Sequence, residues 1–111
     1  MVKITKRPWG LLKQFVKNKK CTVKIIEVKP YQELSLQYHK QRKEAWYFLT
    51  NGIVQIENKK KKVSKGEIVN INKNIQHRLI AGKNKFEVLE VSFGKFSEND
   101  EIRIEDKYNR K

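Results

Sequence analysis

Two histidines, one glutamate in an apolar setting and a strand with a polar face are the groups in this 111-residue chain that could do chemistry. Over residues 33–39 the side chains alternate, with Leu34, Leu36 and Tyr38 on one face and Ser35, Gln37 and His39 on the other. The second set can hydrogen-bond or ligate. If both faces of such a strand are covered, the polar one must be satisfied by water, a ligand or a metal ion, because burying unpaired polar groups is costly. Five residues past His39 stands Glu44, followed at the same parity by Trp46, Phe48 and Thr50. A carboxylate at the mouth of an apolar strand face is unfavourable unless it is paired or metal-bound. The other histidine, His77, lies at the start of the strand-like stretch 76–80, directly after the turn signal Asn72-Lys73-Asn74.

The elements that must position these groups are short strands. Residues 21–29 are rich in β-branched side chains and end at Pro30. Residues 44–50 and 53–57 are two apolar runs separated by Asn51-Gly52, a type I′ hairpin signal. Residues 67–71, 76–80 and 85–93 are strand-like as well, and nowhere does an apolar 3.6-residue period persist over ten residues. Turn signals about every 8–12 residues predict an all-β antiparallel sandwich or barrel. Trp9, Trp46 and Phe48 read as packing residues. The polar tail 95–111 would be anchored by Phe96, Ile102, Ile104 and Tyr108.

Length and composition bound the possibilities. At 13.3 kDa the chain is expected to be one domain over 1–111, with a core about 7–94 and the tail 95–111 packed on it. Leu, Ile, Val and Phe make up 32 residues, enough for a modest core. The longest uncharged run, 45–56, is too short to span a membrane. The single cysteine, Cys21, excludes an intrachain disulfide framework and suits a reducing cytosol, so a cytoplasmic protein is expected. The charge of +14 raises the question of nucleic acid. Yet the 21 lysines accompany many Ile and Asn residues, the bias that AT-rich codons produce. The run Lys59–Lys62 reads as a solvated hairpin tip, and no interleaved exposed aromatics are present to stack on bases. These features argue against a nucleic-acid partner. The acids of the tail, Asp100, Glu101, Glu105 and Asp106, could dock on the basic body.

The spacing Gln37-x-His39-x4-Glu44 with His77 far downstream resembles the two-part metal signature of the cupin superfamily, with Gln37 where the first histidine usually stands. The second part has Gly66 and His77 in place, with Asn72 and Asn74 at the matching spacings between them. Tyr31, Asn74 and Asn109 stand where the pattern has glycine, and Ala81 where it has asparagine. The resemblance narrows with Arg7-Pro8-Trp9-Gly10, Leu34-Ser35-Leu36-Gln37-x-His39, Arg42-x-Glu44-x-Trp46, His77-Arg78-Leu79 and the tail from Asp100 to Arg110. Together these are similar to the cupin domain of type II phosphomannose isomerases, usually the C-terminal part of a bifunctional isomerase and mannose-1-phosphate guanylyltransferase. These residues contain no counterpart of the nucleotidyltransferase half.

The resemblance implies a cupin-type jelly roll and a metal-dependent mannose-6-phosphate isomerase, converting mannose 6-phosphate to fructose 6-phosphate by enediol proton transfer. Gln37, His39, Glu44 and His77 would be the metal shell. Two imidazoles, a carboxylate and an amide oxygen suit one divalent ion, with Zn placed ahead of Ni, Co, Mn and Fe. Ser35 and Arg42 are candidates for holding the substrate phosphate, and Arg103 and Arg110 would return from the tail to close the sugar site. Their alternative is a salt bridge to Glu105 or Asp106. A homodimer is also implied. Where the family has a histidine-rich stretch, this chain has Gln41 and Ala45, which removes candidate proton carriers. The alternative function is therefore a non-catalytic or differently specific metal-containing cupin that binds a sugar phosphate.

Overall fold

The computed structural model describes residues 2–95 and 97–110, so the expected anchor Phe96 lies outside the described residues. The chain is all-β, with one turn of 3-10 helix at Glu98–Asp100. Two strands, β1 (Lys3–Arg7) and β2 (Gly10–Gln14), form a hairpin with its own two-stranded sheet. The strands β3 (Cys21–Val28), β4 (Leu36–Tyr38), β5 (Arg42–Phe48), β6 (Gly52–Ile56) and β7 (Lys59–Val63) follow. After them come β8 (Ile68–Ile71), β9 (His77–Ile80), β10 (Phe86–Gly94) and β11 (Ile102–Glu105). One antiparallel sheet runs β3-β10-β5-β8 and the other β11-β4-β9-β6-β7. The two inner faces share one core of Trp46, Phe48, Val54, Leu79, Phe86 and Val88 with their neighbours, as in a jelly roll.

Three local expectations are corrected. Asn51-Gly52 does not close a hairpin: β5 pairs with β10 and β8, whereas β6 pairs with β7 and β9. The chain changes sheets there. Gly52 serves close approach, since a Cβ at that position would sit 2.4 Å from the Phe86 ring, and the Asn51 Oδ1 accepts from the Lys65 amide at 2.8 Å. Lys59–Lys62 are not a tip but most of edge strand β7, fully exposed and paired to β6. The tip is Glu57-Asn58, with Glu57 at φ 54°. The first fourteen residues carry two strands that period-two patterning did not reveal, and Trp9 at their turn is 72% exposed rather than packed.

The tail is half anchored. β11 pairs with β4, but Ile104 and Tyr108 are exposed, so only Ile102 of the three described anchors is partly covered and not exposed. What fastens the tail is polar. The Asp100 carboxylate is buried and accepts the amides of Lys40 (2.9 Å) and Gln41 (2.8 Å). These three residues at family glycine positions, Tyr31 (φ 61°), Asn74 (φ 66°) and Asn109 (φ 59°), all hold the left-handed conformation that glycine adopts freely.

Candidate metal centre

The strand register explains why distant residues meet. Gln37 on β4 lies opposite His77 on β9, and Glu44 on β5 lies opposite Ser92 on β10. His39 follows β4 immediately. Ligand atoms of His39, Glu44 and His77 all lie within 4.8 Å of one another, and all three residues are buried.

Proton placement makes this group suited to a cation. The Nδ1 of His39 is 2.8 Å from the carbonyl oxygen of Asp100, and the Nδ1 of His77 is 2.8 Å from that of Ile75. A carbonyl oxygen only accepts, so each Nδ1 carries the hydrogen and each Nε2 presents a lone pair. Both point at Glu44 Oε1, His77 Nε2 from 3.4 Å and His39 Nε2 from 3.7 Å. Glu44 Oε1 and His77 Nε2 have no hydrogen-bond partner although they are buried. Two buried acceptors without a donor, with His39 Nε2 beside them in reach of Arg42 Nη2 at 3.3 Å, form a set that a divalent ion would satisfy.

The other oxygen of Glu44 is already occupied. Its Oε2 accepts from Ser92 Oγ (3.1 Å) and Arg42 Nε (3.3 Å). Burial opposes ionisation of Glu44, and Arg42 favours it, as His77 and His39 do when protonated; together these hold the carboxyl down to about 2. Desolvation also lowers His39, against the raising effects of the Asp100 carbonyl and Glu44.

The remaining site candidates fall in different places. A cavity of about 210 Å³, which His39 borders, is also lined by Ser35, Gln37, Arg42, Glu90 and Arg110, among others. Ser35 Oγ lies 3.4 Å from the Gln37 amide oxygen position. With its nitrogen turned toward Glu101, Gln37 donates to that carboxylate at 3.0 and 3.1 Å. Arg42 is committed inside the cluster, to Glu44, to the Ser97 carbonyl (3.1 Å) and to His39 Nε2 (3.3 Å). Arg110 lines the cavity while bonded to Asp106, which is held well below the usual carboxylate range by that side-chain contact. Arg103 lies across from Gln37 and pairs with Glu101 at 2.6 Å.

Sequence reasoning missed Glu90, and it read Asp100 as a docking acid of the tail without its tie to His39. Glu90 is 7% exposed and borders the cavity. Its Oε2 accepts from Trp46 Nε1 (3.1 Å), and burial, with the charge of Glu44, pushes its carboxyl up to about 7. The signal was present: Phe86, Val88, Glu90 and Ser92 share the inward parity of β10, so Glu90 is as anomalous there as Glu44 is on β5. The two family histidine positions also find their place. Ala45 is buried on the opposite face of β5 from Glu44, paired with Val91, and the Gln41 side chain is exposed.

Comparison with known proteins agrees with this architecture. A family model described as mannose-6-phosphate isomerase C-terminal matches residues 2–106. The chain belongs to this family. It is similar to a mannose-1-phosphate guanylyltransferase of Klebsiella pneumoniae, 35% identical over 107 residues, covering 94% of this chain and 23% of that protein. The alginate biosynthesis protein AlgA of Pseudomonas aeruginosa is 35% identical over 108 residues, covering 94% and 22%. The chain thus spans less than a quarter of the curated relatives' length, matching the C-terminal part of bifunctional proteins. Among solved structures, the capsular polysaccharide assembling protein CapF from Staphylococcus aureus aligns with TM-score 0.69 at 18% identity, covering 95% of this chain and 34% of that one. A cupin protein from Bacteroides fragilis aligns with TM-score 0.60 at 17% identity, covering 78% and 86%. At such identities these two show the fold, a cupin. No helix among the described residues is long and apolar enough to cross a membrane.

Proposed function

We propose that this chain interconverts mannose 6-phosphate and fructose 6-phosphate with a divalent metal ion, zinc first among the candidates. The observation that carries the reading is the convergence of the buried His39, Glu44 and His77, with an unpartnered Glu44 oxygen and His77 nitrogen, and a cavity that His39 borders together with Lys24 and Arg110. His39, Glu44 and His77 would hold the ion, with the Gln37 oxygen as fourth donor. Bound there, the ion would supply electrostatic stabilisation of negative charge developing on the sugar's oxygens.

The chain's own residues do the rest. Glu90 faces the same cavity with its Oε2 fixed by Trp46, so its carboxylate is placed to carry a proton between adjacent sugar carbons. Arg110 and Ser35 border the cavity and are suited to orient the phosphate, with Lys24 on the β3 side. Arg42, locked on Glu44 and His39, holds the ligands rather than the phosphate. Arg103 keeps Glu101 beside Gln37. The isomerase reading is preferred to a purely binding cupin because Ala45 faces away from the cavity, so the family histidine missing there is no loss to it.

The test is conversion of mannose 6-phosphate by purified protein, with chelator and with metal restored. Activity that disappears with chelator and returns with zinc is the expected result. Folded protein that binds zinc yet never converts the substrate would reject catalysis and leave sugar-phosphate binding.

A further inference from the structure

We infer that Glu101 is the residue by which the cavity reads the sugar, accepting a hydrogen bond from a hydroxyl in the middle of the hexose chain. The inference rests on the sugar-phosphate reading above and names the group that selects among hexose phosphates. The other acids of the tail have partners elsewhere. Asp100 caps two amides, Asp106 holds Arg110, and a Glu105 oxygen lies 3.9 Å from Arg78. Glu101 is the one of these four that borders the cavity. A second carboxylate near Glu90 repels the phosphate of any ligand that enters, so it needs a favourable contact to offset that cost. Sugar hydroxyls supply one, because they donate to a carboxylate where a phosphate dianion only accepts.

The protein partners of Glu101 fix its carboxylate without using it up. Arg103 Nη2 lies 2.6 Å from Oε2, and the turned Gln37 nitrogen reaches the two oxygens at 3.1 and 3.0 Å. The side chain keeps 19% of its surface exposed. A carboxylate offers roughly four acceptor positions. Oε1, with Gln37 as its donor among the described residues, can therefore accept from a ligand as well. The neighbours place this acceptor along the cavity. Gln37 faces His77 in the strand register, and of the groups that hold Arg110 charged, Asp106 comes first and Glu101 adds to it. A hexose phosphate with its reacting carbons toward the histidines and its phosphate at Arg110 passes Glu101 with its middle carbons, C3 and C4. An epimer that turns the hydroxyl away leaves the carboxylate unpaired, which is how a polar site rejects a near-identical ligand.

The experiment is calorimetric titration of the full chain, with zinc present, with fructose 6-phosphate and with its C3 and C4 epimers, allulose 6-phosphate and tagatose 6-phosphate. The wild type is expected to prefer fructose 6-phosphate to at least one epimer by about tenfold or more. Glu101→Gln keeps the size of the side chain and removes its charge, and should shrink that preference to within about threefold. A merely structural role, exerted through Arg103, would weaken all three ligands alike. Equal weakening therefore overturns the inference, and so does a wild type that does not discriminate. Should Glu101→Gln not fold, Glu101→Asp, which keeps the charge and withdraws it by one methylene, is held to the same criterion. Conversion of mannose 6-phosphate, followed alongside, separates this inference from the reading it rests on. Turnover with an epimer preference indifferent to Glu101 overturns the inference alone. Discrimination that depends on Glu101 without turnover supports it and overturns catalysis, and a folded protein that binds none of the three ligands overturns both.

Discussion

His39 and His77 reach the cavity with the same proton placement because each Nδ1 is tied to a backbone carbonyl, and the His39 tie comes from the tail. The Asp100 carboxylate fixes that tail by capping two amides, so it governs the orientation of a ligand that it does not touch with its side chain. Asp100→Ala is expected to weaken zinc binding by about 10- to 100-fold, as loss of ligand-orienting groups does elsewhere. Competition with a metal-chelating dye reads this without activity, and unchanged affinity would show that β11 alone holds the tail. Glu90→Gln keeps the shape of the side chain and its acceptor for Trp46. It is expected to retain zinc and lower kcat by about 100-fold or more, the usual scale for a positioned proton carrier. Equal loss of metal and rate would instead make Glu90 part of the ligand scaffold.

At the level of elements, the turn chemistry separates what could be read from what could not. The strands at 21–29, 67–71, 76–80 and 85–93 were legible because alternation is a local property, and they match β3, β8, β9 and β10 to within a residue at each end. His39, Glu44 and His77 were legible through their resemblance to a two-part signature, with His39 ending a polar strand face and Glu44 standing out on an apolar one. Asn51-Gly52 misled because a glycine needed for room against Phe86 reads the same as one needed for a type I′ turn. The β1–β2 hairpin was illegible because its apolar residues are exposed rather than alternating into a core. Gly52→Ala tests the distinction. It should destabilise by about 1–3 kcal/mol through overpacking against Phe86, seen as a lower urea midpoint. A midpoint unmoved by the substitution would mean that the ring has room to shift. Tyr31→Gly should have the opposite sign, because Tyr31 holds φ 61° while its side chain is 69% exposed. Relief of left-handed strain, about 1–2 kcal/mol, is offset by the added freedom of glycine in the unfolded chain, leaving a gain of up to about 1 kcal/mol.

For the whole molecule, the charge of +14 poses the question of how much of the lysine serves the site. A sugar phosphate is an anion, so the field of the whole protein should draw it in, but salt limits that reach to about 8–10 Å. Strand β7 with Lys59–Lys62 is two places from β9 in its sheet, about 10 Å from the strand bearing His77. Its lysines therefore sit at the limit of influence, and their position explains them better as guards on an open sheet edge. Lys24, by contrast, borders the cavity. Changing Lys59, Lys60, Lys61 and Lys62 together to Gln should alter KM for mannose 6-phosphate by less than about twofold at physiological salt. The same variant should aggregate more readily on concentration, because β7 would offer an uncharged edge to other chains. Lys24→Gln, one charge instead of four, should raise KM several-fold with kcat little changed, the mark of lost uniform binding. If the four distant charges mattered more than the near one, substrate capture would belong to the global field, and the basic composition would be functional throughout.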